Sequence, residues 1–234
     1  MISYPVSFVP LPIGNREDIT QRALRVLGEV DCICCEDTRT TGVLLAHYGI
    51  RKPLLSLHEH NERQRAPEVA RRAAEGESFA VVTDAGMPGV SDPGYRLIQE
   101  LKAREVPFTV LPGPSAVVTA LVGSGLPSDS FYFGGFLPVK SGKRRQTLQA
   151  VLALGCTCIF YESPFRIIKT LKELAELSPD SPTCLARELT KLHETYHRAT
   201  AAQLAAELEA HPPKGEMVLL IGKLESRARG ADEA

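Results

Sequence analysis

The sequence predicts an α/β protein with two domains, a mostly parallel sheet in the N-terminal half and a mixed sheet in the C-terminal half. Short apolar, β-rich runs alternate with amphipathic helical segments, which is typical of strands joined by helical crossovers. Late in the chain two strand-like runs follow each other directly, which indicates a mixed sheet. With 234 residues, 44% of them hydrophobic and 24% charged, the chain can bury a substantial core in one large domain or two small ones.

The first half alternates five strands with four helices. The strands are predicted at Ser7–Leu11, Asp31–Glu36, Pro53–Leu57, Ser78–Thr83 and Pro107–Leu111. The helices are predicted near Asp18–Leu27, Thr40–Tyr48, Glu62–Glu75 and Tyr95–Glu105. Asp18 or Thr20 is suited to cap the first helix, and Gly28 to end it. Each strand leads into a polar loop, and such sheets hold their ligands at the carboxyl ends of the strands.

The second half begins near Pro112–Pro114, where two prolines around a glycine redirect the chain. Its helices are predicted near Ser115–Gly123, Lys143–Ala153, Phe165–Leu177 and Ala201–Ala210. Its strands are predicted at Phe131–Phe136, Thr157–Glu162, Thr183–Glu188, Glu194–Ala199 and Glu216–Ile221. We therefore expect domains over residues 1–113 and 114–224. The polar residues 225–234 are expected to be a disordered tail.

Composition excludes several classes of protein. The sequence has no run of about 18 apolar residues, and its N-terminus lacks the cationic and apolar regions of a secretory signal, so we expect a cytoplasmic protein without a membrane span. The six cysteines lie mostly within apolar runs and are expected to be mostly buried free thiols. A net charge of −1 gives no sign of the basic excess that is usual in proteins that bind RNA.

Three loops combine glycine and proline with polar residues. The segment from Asp84 to Gly94 follows an apolar strand and contains three glycines, two prolines, two carboxylates and Ser91. Glycines let backbone amides approach a ligand, and prolines fix the shape of the loop. The segments Pro12–Asn15 and Leu111–Ala116 also join a strand to a helix. These loops predict a ligand site that lacks the G-x-G-x-x-G and P-loop signatures, and no G-x-S-x-G elbow supports hydrolysis.

Charged segments follow two of the predicted strands. Glu36-Asp37-Thr38-Arg39 ends one strand, and His58-Glu59-His60-Asn61-Glu62 ends another. His58 and His60 lack the H-E-x-x-H spacing of a helical zinc site, so we expect a polar substrate-facing loop and no metal. Residues two positions apart in an extended chain lie on the same side, so a metal site remains a minor alternative. The one dense basic cluster contains Lys140, Lys143, Arg144 and Arg145, which form either a solvated helix start or an RNA-binding surface.

The chain resembles the tetrapyrrole methylase superfamily and, within it, the ribosomal RNA small-subunit methyltransferase I family. The matching segments occur in the family's order: PIGNREDIT, CEDTRTTGVLL, SLHEHNE, TDAGMPGVSDPGY, LPGPSA, FYESPFR, ARELTKLHE and GEMVLLIG. Two residues depart from the usual pattern, Leu11 in place of Thr and Phe165 in place of His. Many members extend beyond the last strand, whereas this sequence ends at Ala234; a missing extension is expected to weaken RNA docking and leave the cofactor site unaffected.

The resemblance implies a homodimer that binds S-adenosylmethionine in a cleft between two α/β domains. Pro12 would line the floor of this cleft. The methionine part of the cofactor would be held by Asp84, Ala85, Gly86, Met87 and Ser91. Ser115 and Ala116 would contact the cofactor from the opposite wall. The adenosine would be surrounded, largely by backbone groups, by Tyr161, Ala186, Gly215 and Glu216.

The implied reaction is 2′-O-methylation of a cytidine ribose in small-subunit (16S) ribosomal RNA, within the assembled subunit. A ribose hydroxyl must lose its proton, so a positioned carboxylate or imidazole is expected. The candidates are Asp37, Glu59, His60 and Asp92, and we select Asp37 and His60 because each lies at a polar strand end. The residues expected to bind substrate are Arg39, Glu59, Lys140, Arg144, Arg145, Arg166 and Lys191.

Two alternatives remain from the sequence. A carbon methyltransferase acting on a tetrapyrrole would share the fold and the cofactor, but the EDTR and HEHNE segments match the RNA-modifying family. A non-enzymatic ribosome assembly factor that binds the cofactor is the second alternative, and methyl incorporation into small subunits would distinguish it from an enzyme.

Overall fold

The computed structural model describes residues 4–223, and the chain divides into two compact units with a boundary between Ser115 and Ala116. Each unit contains one five-stranded sheet. The predicted fold class is confirmed. No helix among residues 4–223 is long and apolar enough to cross a membrane. The expected tail, residues 225–234, lies outside the described residues.

The N-terminal unit is a parallel sheet between two layers of helices. Its strands are β1 (Val6–Phe8), β2 (Cys32–Cys35), β3 (Leu54–Ser56), β4 (Phe79–Val81) and β5 (Phe108–Val110), in the order β3-β2-β4-β1-β5. Its helices are α1 (Gln21–Glu29), α2 (Thr38–His47), α3 (Glu62–Ala74) and α4 (Tyr95–Ala103). All four strand pairs are parallel, so all five carboxyl ends lie at one edge of the sheet.

Alternating strand residues supply a core on each face of this sheet. On one face Phe8 and Phe79 pack with Leu97 of α4. On the other face Ile33 packs with Leu27 of α1 and Leu45 of α2. Both faces are thus buried, which explains why these strands are almost uninterrupted apolar runs.

The C-terminal unit contains a mixed sheet. Its strands are β6 (Phe131–Phe136), β7 (Thr157–Glu162), β8 (Pro182–Arg187), β9 (Thr195–Thr200) and β10 (Met217–Ile221), in the order β6-β7-β10-β8-β9. Its helices are α5 (Ala116–Ser124), α6 (Ser141–Leu152), α7 (Ile167–Leu177) and α8 (Ala201–Ala210). β6 and β7 are parallel and the other three pairs are antiparallel, as the adjacent late strands predicted.

Helix ends account for the main differences from the predicted boundaries. Arg16–Asp18 forms a separate 3-10 turn, so α1 begins at Gln21 with Thr20 as its N-cap, whose hydroxyl accepts a hydrogen bond from Ala23 N at 3.0 Å. The prediction that Gly28 ends this helix is wrong, because α1 continues to Glu29 and Gly28 has no crowding atom nearby. The cysteines are free, and Cys156 alone of the six is not fully buried.

Candidate functional site

The carboxyl edge of the N-terminal sheet brings together the polar segments that the sequence singled out. Asp37 follows β2, the residues His58 to Asn61 follow β3, and the loop from Asp84 to Gly94 follows β4. The strands are parallel and adjacent in the order β3-β2-β4, so these segments are neighbours. The structure therefore places three of the predicted site segments at one edge.

Backbone contacts hold the loop from Asp84 to Gly94 in one conformation. Gly86 pairs with Leu11 through two hydrogen bonds, Leu11 N to Gly86 O at 3.0 Å and Gly86 N to Leu11 O at 2.9 Å. Gly86 has φ +72° and Ser91 has φ +60°, so both adopt the left-handed conformation that side chains disfavour. The pairing occupies the N–H and C=O groups of Gly86 and fixes the loop, so a ligand would meet backbone groups of the neighbouring residues.

Glu62 anchors this loop and was not recognised as important from the sequence. Its side chain is buried, and Oε1 accepts hydrogen bonds from Gly94 N at 2.9 Å, Arg96 N at 3.0 Å and Leu97 N at 3.3 Å. The carboxylate thus satisfies free N–H groups at the start of α4, where the helix dipole favours negative charge. The segment after β3 is joined in this way to the loop after β4. In sequence Glu62 is an ordinary acidic residue in the first turn of a helix, but its partners lie more than thirty residues away.

Three carboxyl groups at this edge influence each other. Burial, together with the charges of Glu36 and Asp84, raises the pKa of Asp92 to about 6. Burial and the charge of Asp84 raise the pKa of Glu36. Asp84 as a whole residue is exposed, but partial desolvation of its carboxyl group and the charge of Asp37 raise its pKa. Among the described residues, no lysine or arginine forms an ion pair with any of the three. The acidic cluster, defined as Glu36, Asp84 and Asp92, is therefore suited to a cationic ligand and to proton transfer near neutral pH.

The two residues selected from sequence as bases have different surroundings. Asp37 caps α2 by accepting a hydrogen bond from Arg39 N at 2.8 Å, and its other carboxylate oxygen contacts Arg39 Nη2 at 3.1 Å. The hydrogen bonds from Arg39 hold the pKa of Asp37 below its ordinary value, which weakens this carboxylate as a proton acceptor. His60 is exposed, and its ring centre lies 6.0 Å from that of His58. The neighbouring Glu59 is also exposed.

His58 is half-buried and follows β3, whereas Glu36 follows the adjacent strand β2. A positive charge on His58 opposes the rise in the pKa of Glu36. Its Nδ1 atom is buried and has no hydrogen-bond partner. Within residues 4–223, no three His, Cys, Asp or Glu side chains are grouped to hold a metal ion. His58 thus belongs to the segment that the sequence predicted to be a polar substrate-facing loop, and that prediction stays untested.

The predicted cofactor residues of the first loop and of the unit boundary are partly accessible. Pro12 is buried beside Leu11, which pairs with Gly86. Asp84 and Ala85 are exposed, whereas Gly86 is buried, Met87 is half-buried and Ser91 is exposed. Ser115 and Ala116 are half-buried at the boundary between the units.

In the C-terminal unit, the predicted cofactor residues occupy strand ends. Tyr161 in β7 packs edge-on against Phe133, with ring centres 5.1 Å apart. Ala186 is buried in β8 opposite Val218. Gly215 has φ +89°, and an added Cβ there would lie 2.4 Å from Glu188, so the position excludes larger residues. Glu216 donates its N–H to Glu188 Oε1 at 2.8 Å.

Most of the cations predicted to bind substrate are paired within the protein. The structure corrects the prediction that Arg144 binds substrate. Its side chain is 4% exposed and donates two hydrogen bonds to Glu173, so Arg144 is a structural residue of α6 and not a surface contact for RNA. Arg145 pairs with Glu176 at the surface. The other pairs are Arg166 with Glu162 and Lys191 with Glu188 and Glu216.

Two of the predicted cations remain accessible. Lys140 is exposed and precedes α6. The side chain of Arg39 is 91% exposed despite its ion pair with Asp37. Exposed ion pairs contribute little free energy, so Arg39 can exchange Asp37 for an external anion.

Comparison with known proteins shows which family has this sequence and architecture. A family model described as Tetrapyrrole (Corrin/Porphyrin) Methylases matches residues 5–205. The chain is 50% identical over 216 residues to a Vibrio cholerae protein named "Ribosomal RNA small subunit methyltransferase I", covering 91% of this chain and 75% of that protein. A Thermotoga maritima protein of the same name is 44% identical over 216 residues, covering 92% and 97% of the two chains.

Solved structures are similar in fold. Diphthine synthase matches with a TM-score of 0.73 at 15% identity, covering 93% of this chain and 89% of the other. A cobalt precorrin-4 methyltransferase matches with a TM-score of 0.66 at 19% identity, covering 93% and 94%. At such identities the similarity extends to the fold alone.

Proposed function

The chain belongs to the tetrapyrrole methylase family and, within it, to the ribosomal RNA small subunit methyltransferase I group, and from this premise we propose that it methylates the ribose 2′-hydroxyl of a cytidine in small-subunit (16S) ribosomal RNA with S-adenosylmethionine as donor. It is a methyltransferase by family. The relatives' name supports the RNA substrate, and the fold similarity to tetrapyrrole enzymes below 25% identity does not favour the alternative of carbon methylation.

The acidic cluster at the carboxyl edge is the structural observation that carries the proposal. S-adenosylmethionine has a sulfonium and an ammonium group, both cations, and Glu36 and Asp84 of the cluster offer carboxyl groups that no lysine or arginine in residues 4–223 neutralises. The backbone of Gly86, fixed by its pairing with Leu11, lies within the same loop. The residues present thus fit this donor.

We propose that the loop from Asp84 to Ser91, including Ala85, Gly86 and Met87, holds the methionine part of the cofactor. When bound, the cofactor supplies an activated methyl group, because the sulfonium leaves as a neutral thioether. The protein must orient the donor and the ribose for in-line attack and accept one proton. The adenosine contacts of Tyr161, Ala186, Gly215 and Glu216 stay a prediction.

Asp92 is the side chain that we propose as the proton acceptor. A pKa of about 6 leaves its carboxylate mostly ionised at neutral pH and more basic than an ordinary aspartate, which is the balance that general-base catalysis requires. Asp37 and His60 remain predictions with less support, since Arg39 binds Asp37 and His60 is exposed. Glu36, also of raised pKa, is the second candidate.

We also propose that the protein acts in the cytoplasm as a homodimer on assembled small subunits. These statements rest on the resemblance to the family. An assembled subunit presents structured RNA together with protein, so it does not require a large basic excess on the enzyme, whose net charge is −1.

The test is methyl transfer in vitro to small subunits from cells that lack this modification. The purified protein with S-adenosylmethionine should introduce one 2′-O-methyl group on a cytidine, located by nuclease digestion and mass mapping of the RNA. Naked RNA and a tetrapyrrole substrate run in parallel distinguish the substrate classes. Transfer to the tetrapyrrole alone, or no transfer with bound cofactor, would reject the proposed function.

A further inference from the structure

Each of the four helices of the N-terminal unit carries an arginine as its second residue. These are Arg22 in α1, Arg39 in α2, Arg63 in α3 and Arg96 in α4. The four helices follow the carboxyl ends of β1 to β4, so the arginines lie along the edge that carries the acidic cluster. The second residues of α5 to α8 are all uncharged, so the pattern is confined to the N-terminal unit.

Helix stability does not explain this pattern. The first turn of a helix is the positive end of its dipole, where acidic side chains are favourable and cations are unfavourable. Three of the four helices have no acidic residue in the first turn, and the fourth has Glu62. The positions therefore point to a negatively charged partner outside the chain.

The side chains are accessible and largely unpaired. All four arginines are exposed. Among residues 4–223, Arg22, Arg63 and Arg96 have no side-chain hydrogen bond or ion pair, and Arg39 contacts only Asp37. On α3 itself the other arginines are bound by glutamates: Arg65 by Glu68, Arg71 by Glu75 and Arg72 by Glu77. The exposed and unpartnered state of Arg63 thus contrasts with the rest of its helix.

Glu62 fixes two of these arginines relative to the proposed catalytic loop. Its Oε1 atom accepts the backbone N–H of Arg96 at 3.0 Å, so the starts of α3 and α4 are adjacent. Arg63 and Arg96 therefore begin two adjacent helices, and the loop that leads into α4 carries Asp92 four residues before Arg96. Both helix starts thus adjoin the loop that bears the group that we propose to accept the proton.

We propose that Arg22, Arg39, Arg63 and Arg96 form a phosphate-binding surface that holds the RNA strand around the methylated ribose; this inference rests on the proposed function. The guanidinium fork matches phosphate oxygens in bidentate geometry. Contacts to phosphate fix the register of the backbone and leave base recognition to other groups. The four arginines would provide a locally basic surface for RNA in a chain whose net charge is −1.

The test is the salt dependence of binding for the double variant Arg63→Gln, Arg96→Gln. Binding to small subunits and to naked small-subunit RNA is measured over a range of KCl concentrations. Each lost phosphate contact should reduce the slope of log K against log salt by about 0.7–0.9, so the double variant should lose about 1.4–1.8. The KM for RNA should rise while the affinity for S-adenosylmethionine stays unchanged.

The matched control is Arg51→Gln, Lys102→Gln, which removes the same charge. Arg51 precedes β3 and Lys102 lies in the last turn of α4, so both are exposed at the opposite edge of the sheet. The control should keep the wild-type slope. The thermal unfolding temperature should not fall in the test variant, because the variant removes cations from first helical turns, where they are unfavourable.

Three results would overturn the inference. If the wild type methylates small subunits but the double variant keeps its salt slope, these arginines do not contact phosphate, and the proposed function stands. If binding to assembled subunits weakens while naked RNA binding and the slope are unchanged, the surface contacts a ribosomal protein. If the wild type neither binds nor methylates RNA, the inference fails together with the proposed function.

Discussion

In the C-terminal unit the cations near the predicted site are bound to glutamates, whereas in the N-terminal unit no lysine or arginine of residues 4–223 is bound to the acidic cluster. Arg144 with Glu173 and Arg166 with Glu162 illustrate the first arrangement. The raised pKa of Asp92 illustrates the second. Paired charges stabilise a fold or fix a loop, while unpaired ones remain able to bind an external partner. The comparison therefore assigns polar chemistry to the carboxyl edge of the parallel sheet.

The largest loss of stability is expected from replacing Arg144, one of the paired cations of the C-terminal unit. Arg144→Met keeps the apolar stem but leaves the largely buried Glu173 without its partner, so the free energy of unfolding should fall by about 3–5 kcal/mol. Urea denaturation measures it. Arg145→Met is the control, because its pair with Glu176 is exposed and should contribute about 0–1 kcal/mol. If both variants lose little unfolding free energy, and if Arg144→Met reduces the slope of log K against log salt for RNA binding, Arg144 would be a substrate contact after all.

Replacing Glu62 in the N-terminal unit is expected to reduce stability by an intermediate amount. Glu62→Gln weakens a buried acceptor of three backbone N–H groups, and we expect a loss of about 1–3 kcal/mol in unfolding free energy. Hydrogen exchange should accelerate at the amides of Arg96 and Leu97. The exposed neighbour Glu59 provides the control Glu59→Gln. Unchanged exchange at both amides would mean that Glu62 does not hold the loop.

The smallest effect is a pH dependence that comes from the acidic cluster. Asp92 has a raised pKa in the folded protein, so the folded state binds its proton more tightly than the unfolded state does between the ordinary value of 3.8 and about 6. Its contribution to stability is therefore present below about pH 4 and is lost as pH rises through 6. Asp92→Asn should be more stable than the wild type at pH 7, by about 1–2 kcal/mol. Its advantage should vanish near pH 4; an advantage independent of pH would contradict the raised pKa.

The sequence predicted the elements well because the signals are local. Within residues 4–223, periodicity located the ten strands and eight α-helices but not the 3-10 turn Arg16–Asp18, and the Thr20 cap is one of the two that were suggested. The loop from Asp84 to Gly94 could be recognised from its glycines and prolines, since these residues restrict the backbone directly. Glycine was misleading at Gly28, where nothing in the surroundings requires the helix to end.

The state of each charged side chain could not be read from the sequence, because it depends on partners distant in the chain. Arg144 meets Glu173 across two helices, and Glu62 meets the start of α4. A basic cluster and a buried ion pair therefore look alike in sequence. Likewise Asp37 was selected as a base because it lies at a polar strand end, but Arg39 lowers its pKa, and one of its carboxylate oxygens caps α2.

The most direct test of the central claim is single-turnover methylation of small subunits by Asp92→Asn, compared with Asp37→Asn and His60→Gln. Asp37→Asn is a suitable comparison, because asparagine caps helices as well as aspartate does. We predict that Asp92→Asn reduces the rate by roughly 10²–10⁴-fold at near-normal cofactor affinity, while the other two retain rates close to wild type. A near-normal rate for Asp92→Asn, with a large loss for Asp37→Asn or His60→Gln, would contradict the assignment of the reaction to the unpaired carboxyl groups.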